Sequence, residues 1–223
     1  MNIIFHRSPN FDNNRKKIDR IVIHWFGKGT LESADNRFLN DMSDVSAHYG
    51  ISGDTIIQWV EEQNVAYHAG NYEMNQRSIG IEHDATTDHQ ASDLTYETSA
   101  KLIANICKKY NIPLNDSYII PHRQIKATQC PGTIDINRII SLASGIITED
   151  MPSYLKTLFA ENGLAVNNEG QVREFFEKAK RFDGLKTDLE NCRKELTNPS
   201  TNSNIVPKTA FGQNLVSFII KYF

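Results

Sequence analysis

The chain is poor in the features that mark several large protein classes. It has three cysteines in 223 residues, Cys107, Cys130 and Cys192, too few for the disulfide framework of a small secreted domain. No C-x-x-C pair marks a structural zinc knuckle. No apolar run reaches the roughly 18–20 residues that cross a bilayer, so no membrane span is expected. Positive charge is not in excess: 24 Lys+Arg stand against 27 Asp+Glu, a net charge of −3, and nothing favours nucleic acid as a partner. Residues 1–9 hold too short an apolar stretch for a signal peptide. The expectation is a protein synthesised in the cytoplasm, which needs a separate route to any target outside it. A hydrophobic content of 39% and a charged content of 23% fit a soluble, globular chain with one ordinary domain and an appendage.

What is present is an alternation of element types. Residues 21–25, Ile-Val-Ile-His-Trp, read as a buried strand, being short, β-branched and continuously apolar. Residues 33–42 suggest a helix capped by Ser33, with Phe38, Leu39 and Met42 as its apolar stripe. Residues 47–51 and 55–60 bracket Ser52-Gly53-Asp54 as a hairpin. Residues 78–83 alternate, with Ile79 and Ile81 on one face and Gly80 and Glu82 on the other. Residues 95–110 form the clearest helix, with Ala100, Ile103, Ala104, Ile106 and Cys107 inward and Lys108 and Lys109 in the last turn. A strand at 118–120 and a closing helix at 134–142 follow. Interleaved strands and helices imply an α/β fold, a central mixed β-sheet flanked by helices, ending near residue 145.

Beyond that domain (1–145) the expectation is a mainly helical C-terminal appendage over 150–196. It comprises a small helix at 152–165 and a charged helix at 171–196. Phe175, Ala179, Phe182, Leu189 and Leu196 fall at approximate heptad spacing, interrupted at Gly184 and with Leu185 and Cys192 one place off. Residues 197–209 read as a flexible linker. Residues 210–223 form an apolar segment too short to span a membrane.

The chemistry-bearing residues are His24 at the end of the first strand, and His122 and Cys130 in the loop Pro-His-Arg-Gln-Ile-Lys-Ala-Thr-Gln-Cys-Pro-Gly. Each alone has an ordinary alternative: a hydrogen-bonded core histidine, or a buried thiol before a turn. Together, two imidazoles and one thiolate make a three-ligand Zn2+ set with a fourth position open, the mark of catalytic rather than structural zinc. A water there would have its pKa lowered to about 7. A cysteine nucleophile, Cys130 with His122 or His24 as base, is the competing chemistry. Glu82 is either an ordinary exposed strand residue or a general base aimed into the space that Gly80 leaves open. His68, in Tyr67-His68-Ala69-Gly70, and His48 are ligand-contacting or else core and surface histidines. His6, His83 and His89 are read as structural or solvent-exposed.

In order, His24-Trp25, Val45-Ser46-Ala47-His48-Tyr49-Gly50, Trp59-Val60-Glu61-Glu62, Tyr67-His68-Ala69-Gly70, Ser78-Ile79-Gly80-Ile81-Glu82, Pro121-His122-Arg123 and Cys130-Pro131-Gly132 resemble the type 2 N-acetylmuramoyl-L-alanine amidase family. The resemblance covers residues 1 to about 143. It implies a mixed-sheet α/β fold with zinc at one end of the sheet. It also implies hydrolysis of the amide between N-acetylmuramic acid and the L-alanine of the peptidoglycan stem. Carried over residue by residue, His24, His122 and Cys130 match the zinc ligands and Glu82 the general base. His68 matches the His-Ala-Gly element that lines the family's substrate groove, and His48 and its neighbour Tyr49 are further candidates for substrate contact. Many members have lysine where this chain has Thr128; a hydroxyl there can still donate to the oxyanion, without the charge assistance of an ammonium. Several members have tyrosine at the Ala47 position. The expected role is that of a phage-type endolysin acting on the bacterial cell wall after pore-dependent release, its tail binding wall or self-associating. The alternatives are a cytoplasmic recycling amidase and a non-catalytic peptidoglycan-binding module.

Overall fold

The computed structural model describes residues 3–87 and 89–149. The expected helices at 152–165 and 171–196, the linker at 197–209 and the apolar segment at 210–223 lie outside the described residues. One compact unit runs from Met1 to Ala143. In chain order the elements are β1 (Ile3–Phe5), β2 (Phe11–Asp12), β3 (Arg20–Gly27), α1 (Leu31–Leu39), a 3-10 turn (Asp41–Ser43), β4 (Tyr49–Ser52), β5 (Thr55–Gln58), β6 (Val65–Ala66), α2 (Tyr72–Asn75), β7 (Ser78–Thr86), α3 (Asp93–Tyr110), β8 (Ile119–Pro121), a second 3-10 turn (His122–Gln124) and α4 (Ile136–Glu149).

Six strands form one sheet in the order β1-β5-β4-β7-β3-β8, and β2 pairs separately with β6. Neighbours in the large sheet run parallel except β4 and β5. The sheet is therefore mixed and helix-flanked, as the alternation of elements implies. β3 lies between β7 and β8 and fully buries Ile21, Val22 and Ile23, which is why its sequence is continuously apolar rather than alternating. The β4–β5 hairpin turns through Gly53 at φ +59°, a conformation that costs glycine nothing.

The register sets the two faces of the sheet. Gly50 on β4, Glu82 on β7 and His24 on β3 are paired in one row. Trp59 lies over Gly50, where a Cβ would come within 2.2 Å of the indole. Around Trp59 gather Phe38, Ala47, Val60 and Ala66, with Leu31 of α1 packed against them. The opposite face carries Ile79, Ile81 and His83. His83 Nδ1–H donates to His24 O (2.9 Å) and Nε2 accepts from Ser99 of α3 (2.7 Å), so α3 covers that side. α3 buries Ala100, Ile103, Ala104, Ile106 and Cys107. Burial pushes the Cys107 thiol up to about 12, the behaviour of a small core hydrophobe.

α1 departs from its sequence reading. Its N-cap is Thr30, not Ser33; Ser33 is the third helical residue of a reciprocal capping box, the two hydroxyls accepting from each other's backbone N–H. The helix stops at Leu39 because Asn40 Oδ1 accepts from Met42 N–H and draws the chain into a 3-10 turn. Met42 thereby leaves the apolar stripe and is 82% exposed.

Candidate metal centre

His24 sits near the C-terminal end of β3, facing the same side as Glu82. β8 ends with Pro121 level with Ile23, and the next residue, His122, opens the 3-10 turn. The loop then doubles back, held by Arg123 N–H donating to Cys130 O (3.0 Å). Gly132 closes it at φ +59°, and a Cβ there would fall 1.8 Å from the Trp25 ring. The small residue after Cys130-Pro131 thus lets the loop lie against the strand that carries His24.

One donor atom each from His24, His122 and Cys130 lie within 4.8 Å of one another. Cys130 Sγ is 3.6 Å from His24 Nδ1. Zinc bonds of about 2.0 Å to nitrogen and 2.3 Å to sulfur at a tetrahedral angle set such a pair about 3.5 Å apart. The remaining nitrogens are engaged so as to leave the ligand atoms free. His122 Nε2–H donates to Ala69 O (3.0 Å). His24 Nε2–H donates to His68 Nδ1 (3.0 Å), His68 Nε2–H to Ser78 Oγ (3.2 Å), and Ser78 Oγ–H to Met74 O (2.7 Å). With that direction every donor in the chain has an acceptor, and Nδ1 of His24 is left as a lone pair.

Burial, and then the neighbouring His68, His122 and His83, hold the His24 imidazole neutral, well below its usual pKa. Burial, with Glu82 adding to it, pushes the Cys130 thiol up to about 12. Burial also raises Glu82 to about 8, partly offset by Arg37, and Glu82 Oε2 is buried with no hydrogen-bond partner. The cluster thus holds N, N and S donors beside an orphaned carboxyl oxygen. That donor set fits a borderline-soft divalent cation such as zinc.

A cavity of about 790 Å³ opens over the cluster, lined by His24, His68, Glu82, His122, Thr128 and Cys130 among others. Thr128 Oγ1 accepts from Cys130 N–H (3.2 Å), which leaves its own proton uncommitted to that bond. Lys126 instead lays its side chain across Gly70, 2.8 Å from where a Cβ would be, and does not line the cavity. His68 reaches the cavity, yet is 9% exposed and occupies the space above Gly80, where a Cβ would meet its ring at 2.5 Å. The space left by that glycine is thus filled by His68 rather than open to Glu82.

The structure does not bring His48 or Tyr49 to the cavity. His48 is fully buried, its Nδ1 accepting from Gly80 N–H (3.0 Å) and its Nε2 beside Arg15. Tyr49 points to the α3 side, donating to Glu62 (2.9 Å), which also accepts from Tyr110 and Lys109. Both are core residues: Tyr49 opens β4 and His48 immediately precedes it, and each side chain is buried. Residues not anticipated from the sequence are Ser78, Arg15, Lys28 and Arg37. Ser78 had a signal, since positions 78, 80 and 82 share one face of β7. Arg15 had none: it lies in the connection before β3 and donates to Asn64 O (2.8 Å) and Ser78 O (3.1 Å), contacts set by tertiary structure.

A family model described as N-acetylmuramoyl-L-alanine amidase matches residues 14–133. Similar solved structures include a mutant endolysin from Bacillus subtilis (21% identity, 64% of this chain and 99% of that one, TM-score 0.54). Another is the N-acetylmuramoyl-L-alanine amidase LysC from Clostridium intestinale (19%, 63% and 96%, TM-score 0.54). A third is an AmpD derivative (24%, 63% and 93%, TM-score 0.55).

Proposed function

The chain belongs to the N-acetylmuramoyl-L-alanine amidase family, and from that premise we propose that it is a zinc-dependent peptidoglycan amidase cutting between the N-acetylmuramic acid lactyl group and L-alanine. The observation that carries the reading is the convergence of His24, His122 and Cys130 on one cavity with Glu82, whose Oε2 is buried and unpartnered. His24 through Nδ1, His122 and Cys130 would hold the ion. A bound zinc supplies Lewis acidity to the scissile carbonyl and to the attacking water. Glu82, with Oε2 buried and unpartnered at the cavity, takes the proton from that water and delivers it to the leaving alanine nitrogen. Thr128 Oγ1–H donates to the carbonyl oxygen as negative charge develops on it. His68 holds the His24 ring rather than the substrate. Trp25, Phe26 and Tyr67 wall the cavity and offer apolar surface to the sugar and lactyl group.

The finer role we propose is that of a phage-type endolysin, acting on the cell wall after pore-dependent release. Endolysins among the similar structures support this, as does the length of chain beyond residue 143, which hydrolysis alone does not call for. In that role the tail binds wall or self-associates.

Purified sacculi test the activity. The protein frees L-alanine amino groups without freeing reducing sugar ends. Chelator abolishes the release and added zinc restores it. Glu82→Gln lowers the rate about 10²–10⁴-fold while retaining bound zinc. Wall binding with no release by the zinc-loaded wild type would replace the enzyme with a recognition module.

A further inference from the structure

The cavity wall carries two cations that the hydrolysis does not use. Lys28, just before α1, and Arg37, on α1, both line it, and Glu82 is its one lining carboxylate. Other arginines are engaged: Arg7 with Glu61, Arg20 and Arg77 with Asp19, Arg138 with Asp93, and Arg15 and Arg123 with backbone carbonyls. Among the described residues Arg37 makes no side-chain hydrogen bond or ion pair, and neither does Lys28. α1 is fixed beneath them by its Thr30–Ser33 capping box and by Phe38, 7% exposed in the Trp59 cluster. The two charges are therefore borne by an anchored helix and its lead-in rather than by a loose loop.

We infer that Arg37, assisted by Lys28, is a specificity residue that binds a stem-peptide carboxylate and so orients the peptide toward α1. This rests on the amidase reading. The chemistry singles out the peptide half of the substrate. N-acetylated glycan is uncharged around the scissile bond, and L-alanine has lost its amine charge to the amide and its carboxylate to the next peptide bond. The nearest anion is the free α-carboxylate of the γ-linked D-glutamate at position two, within the ~7 Å that two extended residues reach. The next is the C-terminal carboxylate of the stem. A planar guanidinium presents two parallel N–H donors to such a group, with an ammonium as a second point charge.

The test compares three synthetic muropeptides extended through the D-glutamate γ-carboxyl. One has a free position-two carboxylate and an amidated C-terminus; the second has both amidated; the third has the position-two carboxyl amidated and the C-terminus free. The wild type cleaves the first with kcat/KM about tenfold above the second, the gain expected of a charge-assisted hydrogen bond. In Arg37→Gln that ratio collapses toward one, and Lys28→Gln reduces it partway. A preference for the third substrate that Arg37→Gln removes assigns the pair to the C-terminal carboxylate instead. Equal cleavage of all three by the wild type, or a ratio that Arg37→Gln leaves intact, overturns the inference and keeps the amidase. No cleavage of any by the zinc-loaded wild type overturns the amidase reading itself.

Discussion

At the scale of single residues the site is decided by which nitrogen of each histidine is left free. His68 fixes this for His24 through the relay to Ser78, and outer partners of this kind typically tune metal affinity by 10–100-fold. His68→Ala therefore weakens zinc binding about 10–100-fold, measured by competition with a chromogenic chelator, with the circular dichroism spectrum retained. Unchanged zinc affinity with a raised KM would return His68 to the substrate contact expected from the sequence. Thr128 makes a separate claim. Its methyl isostere Thr128→Val removes the donor but keeps the shape, so kcat falls about 10–100-fold with little change in zinc content, a loss somewhat below that for the best oxyanion donors. Thr128→Ser recovers most of the rate. An unaltered kcat in Thr128→Val would leave the hydroxyl only its bond to Cys130 N–H. The three clustered donors, proposed as ligands, were legible as candidates because residue type and local setting coincide: a histidine ending an apolar strand, and a His and Cys in one loop. Their supports were not, since His24 meets His68 across 44 positions and Cys130 across 106, and no local pattern encodes such pairings.

At the scale of elements, β3 and α3 were legible because their apolar patterns are strong and match the burial each element needs. α1 was misplaced by two residues at its start because Ser33 is a plausible cap in isolation; only the reciprocal bond with Thr30 shows which hydroxyl leads. What sets the level of His24 against Glu82 is the pairing of β3 with β7, and a charge cluster holds its entrance. Asp19, the residue before β3, accepts from Arg77 Nε (2.9 Å), the residue before β7, and from Lys17 (2.7 Å) and Arg20 (3.1 Å). Burial opposes its ionisation, but the hydrogen bonds from Arg77, Lys17 and Arg20 outweigh it and hold its carboxyl well below the usual carboxylate range. A depressed folded-state pKa means the folded protein holds its proton less tightly than the unfolded chain. The stabilisation is then complete above about pH 4 and is lost only as pH falls on through the depressed folded-state pKa. Asp19→Asn costs about 1 kcal/mol at pH 7, given the partial exposure of the cluster, and clearly less at pH 2. Parallel urea titrations at the two pH values check this; an equal cost at both would mean that charge is not the source.

At the scale of the whole molecule, the clustering of the three donors is a consequence of sheet order. His24 comes from a central strand and His122 from the end of the adjacent edge strand. Cys130 comes from a loop that closes only because Gly132 admits the Trp25 ring. None of these groups is near the others until β7, β3 and β8 have paired, so the unfolded chain offers no comparable three-donor site. An ion that binds only the folded state stabilises it by RT ln(1 + [L]/Kd), about 4 kcal/mol at a thousandfold excess over Kd. For a chain of this size that raises Tm by roughly 10 °C. Scanning calorimetry of the full chain with zinc and after chelation therefore shows a drop of this order on metal removal, reversed when zinc is restored. Cys130→Ser, which keeps the size but loses the sulfur donor, shows a much smaller difference between the two conditions. Gly132→Ala also narrows it, because the loop can no longer seat Cys130 against the strand. A Tm insensitive to zinc in the wild type would mean that the three donors, though close, do not share an ion, and the chemistry assigned to the cavity would go with it.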